Sequence, residues 1–277
     1  MIPRHFHFVF GLRPQSEPFH LVHYLCLKSC MVVNQPEKVS FYYHYEPYGE
    51  WWEKIKPGLE LVRVEPVDFL AGTERYGEHE EGRFIRRWGL DYAHHADFLR
   101  LEILMNTGGV YADIDTLFVK PMPGRFFRKQ FVMGREVDTP HESDGSAGSL
   151  CNALMLSEPN AEFARLWHRR MYSAFDGSWS RHSNQEATRL SRQHPDLITV
   201  LPRECFYKFG FTPMAMARLF AGLQTDLGGV YSIHLWEHLW WDEDRTDFCR
   251  FHAGLLTRDY IENRETTYSV LARRFLD

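Results

Sequence analysis

The sequence predicts an α/β fold with a mostly parallel central sheet flanked by helices. Three observations carry that prediction. Over the first hundred residues, short β-branched or aromatic runs alternate with stretches of helical spacing, the order of parallel strands joined by crossover helices. Hydrophobic residues make up 44% and charged residues 25% of the 277 positions. That is too apolar for a disordered chain, and the length suffices to bury about three quarters of the unfolded surface. No linker or low-complexity tract divides the chain, so one domain is expected over 1–277.

Each element follows from its local pattern. His5–Phe10 is an apolar, aromatic run and predicts the first strand. From Pro18 to Val33, Leu21, Val22, Leu25 and Val32 recur near helical spacing. Val39–Tyr45 reads as a strand, and Leu59–Val64 as another after the Pro57-Gly58 turn. Asp91–Asn106 is the clearest helix, with Phe98, Leu101, Leu104 and Met105 on one stripe and Gly108-Gly109 to end it. Val110–Val119 reads as one strand closed by Pro121 and Pro123, and Phe131–Met133 and Cys151–Leu156 as two more. Between the last two, 138–149 is rich in Ser, Gly and Asp and predicts a loop. Helices over Asn160–Phe175 and Pro213–Leu223, and strands over Leu197–Leu201 and Val230–Trp236, complete the pattern.

Charge and cysteine usage narrow the function. The net charge of −5 argues against a nucleic-acid partner held by bulk charge. Cys26, Cys30, Cys151, Cys205 and Cys249 are odd in number and contain no Cys-x-x-Cys pair, which suggests neither a disulfide framework nor a zinc site. Small buried hydrophobes in a reducing compartment are expected instead. Arg4, His5 and His7 interrupt the opening run, so it lacks the apolar core of about 7–15 residues of a signal peptide. No stretch reaches the roughly 18 apolar residues of a transmembrane segment. The expected location is cytoplasmic, with peripheral contact at the inner membrane face left open. Arg83, Arg86 and Arg87 form a basic cluster, either a solvated helix face or a contact to phosphate or an anionic membrane surface. His94 and His95 are adjacent and face apart on a helix, so at least one is expected on the surface.

The sharpest local feature is Tyr111-Ala-Asp113-Ile-Asp115. Carboxylates at i and i+2 share one face of an extended chain. Two adjacent acids repel, and a hard divalent cation with oxygen ligands relieves that repulsion. They sit at the end of an apolar strand, where open α/β sheets place their ligand crevice. A solvated turn is the plainer reading of such a pair taken alone. Upstream, Asp97 and Arg100 share a helix face at i, i+3, either as a structural pair or as a guanidinium and carboxylate presented to a polar ligand.

His95-Ala-Asp-Phe-Leu-Arg-Leu-Glu-Ile-Leu-Met-Asn-Thr-Gly-Gly-Val-Tyr-Ala-Asp-Ile-Asp-Thr-Leu-Phe-Val-Lys-Pro-Met122 closely resembles the D-x-x-R, G-G-x-Y-x-D-x-D, P block of the DXD-type, sugar-nucleotide-dependent glycosyltransferases. The family contains initiating α-1,6-mannosyltransferases and α-1,4-galactosyltransferases, with the large clostridial glucosylating toxins as distant relatives. Ile2–Gly11 resembles its opening strand, with Phe10 where the family usually has Trp. Cys151–Pro159 resembles its N-A-x-x-x-a-x-P segment, and Tyr231–Trp236 its C-terminal H-x-W. In one departure, Gln185-Glu186 stands where the family often carries Gly-Pro before a Thr.

The resemblance implies a single-domain GT-A-type nucleotide-sugar-binding fold, with 1–122 as the nucleotide-sugar and metal-binding half and 123–277 as the acceptor-side half. It implies manganese, or magnesium, and a nucleotide-sugar donor, UDP-linked for preference. The acceptor would be a carbohydrate, glycolipid or protein hydroxyl, and the anomeric configuration would be retained. Asp115 would ligate the metal directly. Asp113 would touch the donor or the metal, and His234 the metal or diphosphate. Asp97 and Arg100 would hold the donor sugar's hydroxyls, Asn152 would reach the donor or the metal's surroundings, and Phe8, Val9 and Phe10 would line the base and ribose, with aromatic core packing as the alternative. Tyr111 stands beside the acids. Trp236 would donate its indole N–H to a phosphate, with a core Trp as the plainer alternative. Asp113 and Asp115 are the catalytic candidates, with Glu186 and Gln185 assigned to the acceptor side. Trp240 and Trp241 would cover the donor or stack on an acceptor sugar. A non-catalytic nucleotide-sugar-binding module and a divalent-metal phosphoester hydrolase are the competing readings.

Overall fold

The computed structural model describes residues 1–65, 70, 72–137, 149–241 and 251–277. The chain opens with strand β1 (His5–Val9), helix α1 (Leu21–Asn34) and strand β2 (Lys38–Tyr43). Helix α2 (Glu50–Ile55) leads to β3 (Glu60–Arg63), and α3 (Arg75–Glu78) and α4 (Glu80–Arg87) precede the long α5 (Tyr92–Thr107). Strands β4 (Gly109–Ala112), β5 (Thr116–Phe118), β6 (Phe131–Val137) and β7 (Ser149–Ser157) follow, then α6 (Glu162–Ala174). A π-helical turn at Arg181–Gln185 runs into α7 (Glu186–Gln193), then β8 (Thr199–Leu201), α8 (Glu204–Tyr207), α9 (Pro213–Phe220) and β9 (Ser232–His234). Helices α10 (Arg258–Asn263) and α11 (Thr267–Ala272) close the chain.

Seven strands form one sheet in the order β3-β2-β1-β4-β7-β6-β8, and β7 alone runs against the rest. The α/β expectation is therefore met. Side chains alternate across a strand, and here both faces are covered. Phe6, Phe8, Val110, Ala112 and Leu154 pack on the α1 side, whereas Val9, Tyr111, Met133 and Met155 pack on the α5–α6 side. Strands buried on both faces read as continuous apolar runs, which explains why β1, β4 and the antiparallel β7 were visible in the sequence.

Two glycines set the join between α5 and β4. Gly108 takes a positive φ of 64° as the helix C-cap. Gly109 has φ 108°, and a Cβ there would lie 2.5 Å from the His5 carbonyl oxygen. Only glycine allows β4 so close to β1.

Three expectations are corrected. The predicted strand 110–119 is broken at Asp113–Asp115, where the Thr116 N–H bonds the Asp113 carbonyl at 3.0 Å. The acids therefore sit on a turn, not on extended chain, and β5 leaves the main sheet to pair with β9. His94 and His95 are both buried, because α5 lies between the sheet and α6 and has scarcely any solvent face. His94 Nδ1 shares a hydrogen bond of 2.8 Å with the Tyr76 hydroxyl.

Cys26 and Cys30 are buried in α1, as expected. Cys249 and the predicted loop, apart from Ser149, lie outside the described residues. Among the described residues, no helix is long and apolar enough to cross a membrane. Arg83, Arg86 and Arg87 lie on the solvent side of α4, where Arg83 and Arg86 cap the Gly77 and Thr73 carbonyls.

Candidate active site

The carboxyl ends of β1 and β4, the N-terminal half of α5, the start of β7 and the segment after β9 surround a cleft of about 880 Å³. Such a volume lies within the usual range of roughly 300–1,000 Å³ for ligand pockets. On one wall, β1 delivers Val9 and Phe10 and the chain continues along the cleft to Pro18.

A buried ion network forms the floor. Arg100 lies 3.4 Å from Asp97 and 3.3 Å from Asp113. It also donates to the Asn152 carbonyl at 3.1 Å and lies over the Tyr111 ring at 4.8 Å. The Asn152 side-chain amide donates to Asp97 at 2.7 Å, and His182 Nε2 stands 3.0 Å from the other Asp97 oxygen. Burial opposes the charge on Asp97, but Arg100 and His182 outweigh it and bring the carboxyl down to about 2. The Tyr111 hydroxyl donates to Asp113 at 2.7 Å.

Asp115 is held differently. The β5–β9 pairing sets Thr116 opposite His234, so His234 Nε2 comes within 3.1 Å of Asp115 and 3.9 Å of Asp113. The Glu237 backbone N–H donates to Asp115 at 2.9 Å. Burial works against ionisation of both acids. At Asp115 the neighbouring His234 and the Glu237 N–H win and lower the pKa; at Asp113 burial wins over Arg100 and raises it. Burial lowers the His234 pKa and Asp115 raises it, with the net shift upward. The two acids are thereby pushed apart in acidity, as in functional carboxylate pairs.

One ligand atom from each of Asp113, Asp115 and His234 lies within 4.8 Å of the others, the one such cluster among the described residues. Two carboxylate oxygens and one imidazole nitrogen suit manganese or magnesium better than a thiolate-seeking metal. The residues fit the cation: Asp113 still lacks enough positive charge to ionise freely, and three ligands leave positions for an anionic substrate. Asp97, Arg100, Tyr111, Asn152, Val9 and Phe10 all line the same cleft.

Four sequence assignments do not survive in their original form. Phe8 is wholly buried in the core on the α1 side and does not line the cleft. Glu186 is buried at the start of α7 and turned toward α6, where Arg189 holds it at 2.5 Å and Arg170 at 3.4 Å; its neighbour Gln185 reaches the cleft. Trp236 lines the cleft, but its indole N–H donates to the Phe209 carbonyl at 2.9 Å and is not directed at a phosphate. Trp240 is buried, with its N–H on the Leu235 carbonyl, so only Trp241 lines the cleft. Its ring stacks on His23 at 4.9 Å with 6° between planes, and His23 Nε2 lies 2.6 Å from Glu237.

Sequence reasoning missed His23, Glu136, His182 and Glu237. None carries a local signal. His182 lies in a π-helical turn, a form common at functional sites that no periodicity marks, and Glu136 stands near the end of β6.

Comparisons with known proteins bear on this arrangement. Residues 46–136 match the family described as "Glycosyltransferase sugar-binding region containing DXD motif". That segment contains Asp97, Arg100, Asp113 and Asp115 and ends at Glu136. Glucan organizing enzyme 1 of Cryptococcus neoformans var. grubii is 27% identical over 286 residues, covering 100% of this chain and 71% of that protein. Galactosyltransferase LgtC in complex with donor and acceptor sugar analogs has a TM-score of 0.47 at 13% identity, over 98% of this chain and 95% of that one. The PaToxG glycosyltransferase has a TM-score of 0.45 at 19% identity, over 70% of each chain.

Proposed function

We propose, for a chain that carries the DXD-containing sugar-binding region of the glycosyltransferases, that it is a metal-dependent, retaining hexosyltransferase of GT-A type. It moves a hexose from a UDP-sugar to a hydroxyl of a glycan, a lipid-linked sugar or a protein. The observation that carries the proposal is the convergence of Asp113, Asp115 and His234 beside the Asp97–Arg100 network in one cleft. In this reading 1–277 acts as one unit, with donor and metal contacts mainly from 1–122 and acceptor contacts from 123–277.

The roles follow from position. Asp97, fixed by Arg100, Asn152 and His182, presents a carboxylate whose orientation costs nothing further at the moment of binding. Arg100 also keeps Asp113 aimed at the cleft through their 3.3 Å contact. Val9 and Phe10 give the base an apolar wall, and the loop up to Pro18 extends it. Asp113, Asp115 and His234 would hold the cation, which would supply a Lewis acid for the diphosphate leaving group. Asp97 is tied on both oxygens, which makes it a poor covalent nucleophile and favours front-face attack by the acceptor hydroxyl.

The test is a screen of UDP- and GDP-hexoses with manganese for release of nucleoside diphosphate. Release from a UDP-hexose, increased by a sugar acceptor, is the expected result. Tight nucleotide binding without release identifies a binding module, and turnover of simple phosphoesters without sugar nucleotide identifies a hydrolase. A second expectation concerns the metal. With only three protein ligands, manganese alone is expected to raise Tm weakly, and manganese with UDP much more, because the diphosphate completes the coordination. Equal shifts with and without UDP in a thermal melt contradict this ligand set.

A further inference from the structure

Glu136 is the one carboxyl lining the cleft that the roles above leave unused among those on the sheet. It stands near the end of β6, half-buried, with Ser149 and Asn184 beside it. Both of its hydrogen bonds are long and reach the same oxygen: Ser149 Oγ and Asn184 Nδ2 each lie 3.4 Å from Oε2. Oε1 accepts no hydrogen bond, and no Lys, Arg or His pairs with the carboxyl, among the described residues. A desolvated carboxyl without a cation is costly. Burial pushes its pKa up to about 7, against the opposing influence of His234 and the Ser149 hydroxyl. Buried carboxylates elsewhere in this chain are treated differently: Glu186 has two arginines and Asp97 has three partners.

The topology places Glu136 across the metal cluster from the nucleotide wall. Val9, Phe10 and the loop to Pro18 lie over β1, beside β4. Strand β6 lies beyond β4 on the other side, separated from it by β7, so about 10 Å away at the usual strand spacing. Between them stand Asp113 and Asp115. A donor with its base on β1 and its diphosphate at the acids therefore directs its sugar toward β7 and β6. Gln185, Asn184 and Thr188 line that same end of the cleft.

We propose that Glu136 is the polar centre of the acceptor subsite, with Oε1 taking a hydrogen bond from a hydroxyl of the incoming sugar alcohol and so positioning it against the donor. No bond to Glu136 forms or breaks, and the acceptor proton leaves on the departing phosphate. Glu136 is a positioning residue, and this assignment rests on the transferase reading above.

The experiment compares the whole wild-type protein with Glu136→Gln, using the UDP-hexose found by the donor screen, manganese and a panel of methyl glycosides. Gln keeps the volume and an oxygen to accept from Ser149 and Asn184, so the fold is preserved. A hydrogen bond to a charged group typically contributes about 10–100-fold. The expected result is a loss of that size in acceptor kcat/KM, with UDP affinity, acceptor-free hydrolysis of the donor and Tm unchanged. Glu136→Asp, which keeps the charge but withdraws it, is expected to raise the acceptor KM in the same selective way. Unchanged acceptor kcat/KM in both variants overturns the proposal. So does a parallel fall in UDP affinity and hydrolysis, which marks a donor-side or structural role. If the wild type releases no nucleoside diphosphate from any donor, the transferase reading itself falls, and the acceptor subsite with it.

Discussion

Asp115→Asn is expected to lower transfer by about 10²–10³-fold, on the scale of losing one preorganised charge-stabilising group, while the protein stays folded. The carboxylate is buried and accepts the Glu237 N–H at 2.9 Å, with His234 at 3.1 Å. Asn has the same shape and an oxygen that can still accept from Glu237. What disappears is the negative charge that Asp115 adds to the proposed cation site of Asp113, Asp115 and His234. The manganese concentration for half-maximal activity should rise with the loss in rate, and circular dichroism should match wild type. Wild-type turnover at ordinary manganese levels removes Asp115 from the metal assignment.

Arg100→Met is expected to destabilise the protein by about 3–5 kcal/mol, the scale for removing one partner of a buried ion pair. Met fills a similar volume but leaves Asp97 and Asp113 without their guanidinium and frees the Asn152 carbonyl. The pH dependence has a definite sign. In wild type the Asp97 pKa is depressed to about 2. The resulting stability is present above the ordinary Asp pKa near 4 and is lost as pH falls toward 2. In the variant Asp97 keeps Asn152 and His182 but loses the guanidinium, so burial raises its pKa and protonation relieves part of the cost. The difference between the two proteins in urea unfolding should therefore be large at pH 7 and smaller near pH 5. A difference below about 1 kcal/mol at pH 7 is incompatible with this network carrying uncompensated charge.

The fold and the first half of the site were legible because their signals are local. Apolar runs buried on both faces of the sheet show as β1, β4 and β7. The helical stripe of α5 carries Asp97 and Arg100 one turn apart, and Gly108-Gly109 marks the stop. The acids come next in the chain, so their place at the strand end was readable even though they lie on a turn. The roles of Phe8 and Glu186 were misread for one reason: burial or exposure to the cleft depends on where a strand enters the sheet and which helix packs beside it. His94 and His95 show the same effect, since α5 is buried on nearly every side.

The sequence alone determined the α/β class, the acidic pair with its upstream Asp97–Arg100, and the resemblance that ties them to sugar transfer. Each rests on periodicity or on spacing of fewer than about twenty residues, within which backbone geometry sets what faces what. Only the tertiary structure decided which distant groups complete the site. His234 reaches Asp115 through the β5–β9 pairing, Glu237 closes over it with a backbone N–H, and His182 meets Asp97 from the π-helical turn. Glu136 arrives at the opposite end of the cleft because β7 inserts between β4 and β6. Strand order and loop closure are global choices of the packed chain, so no short stretch of sequence encodes them.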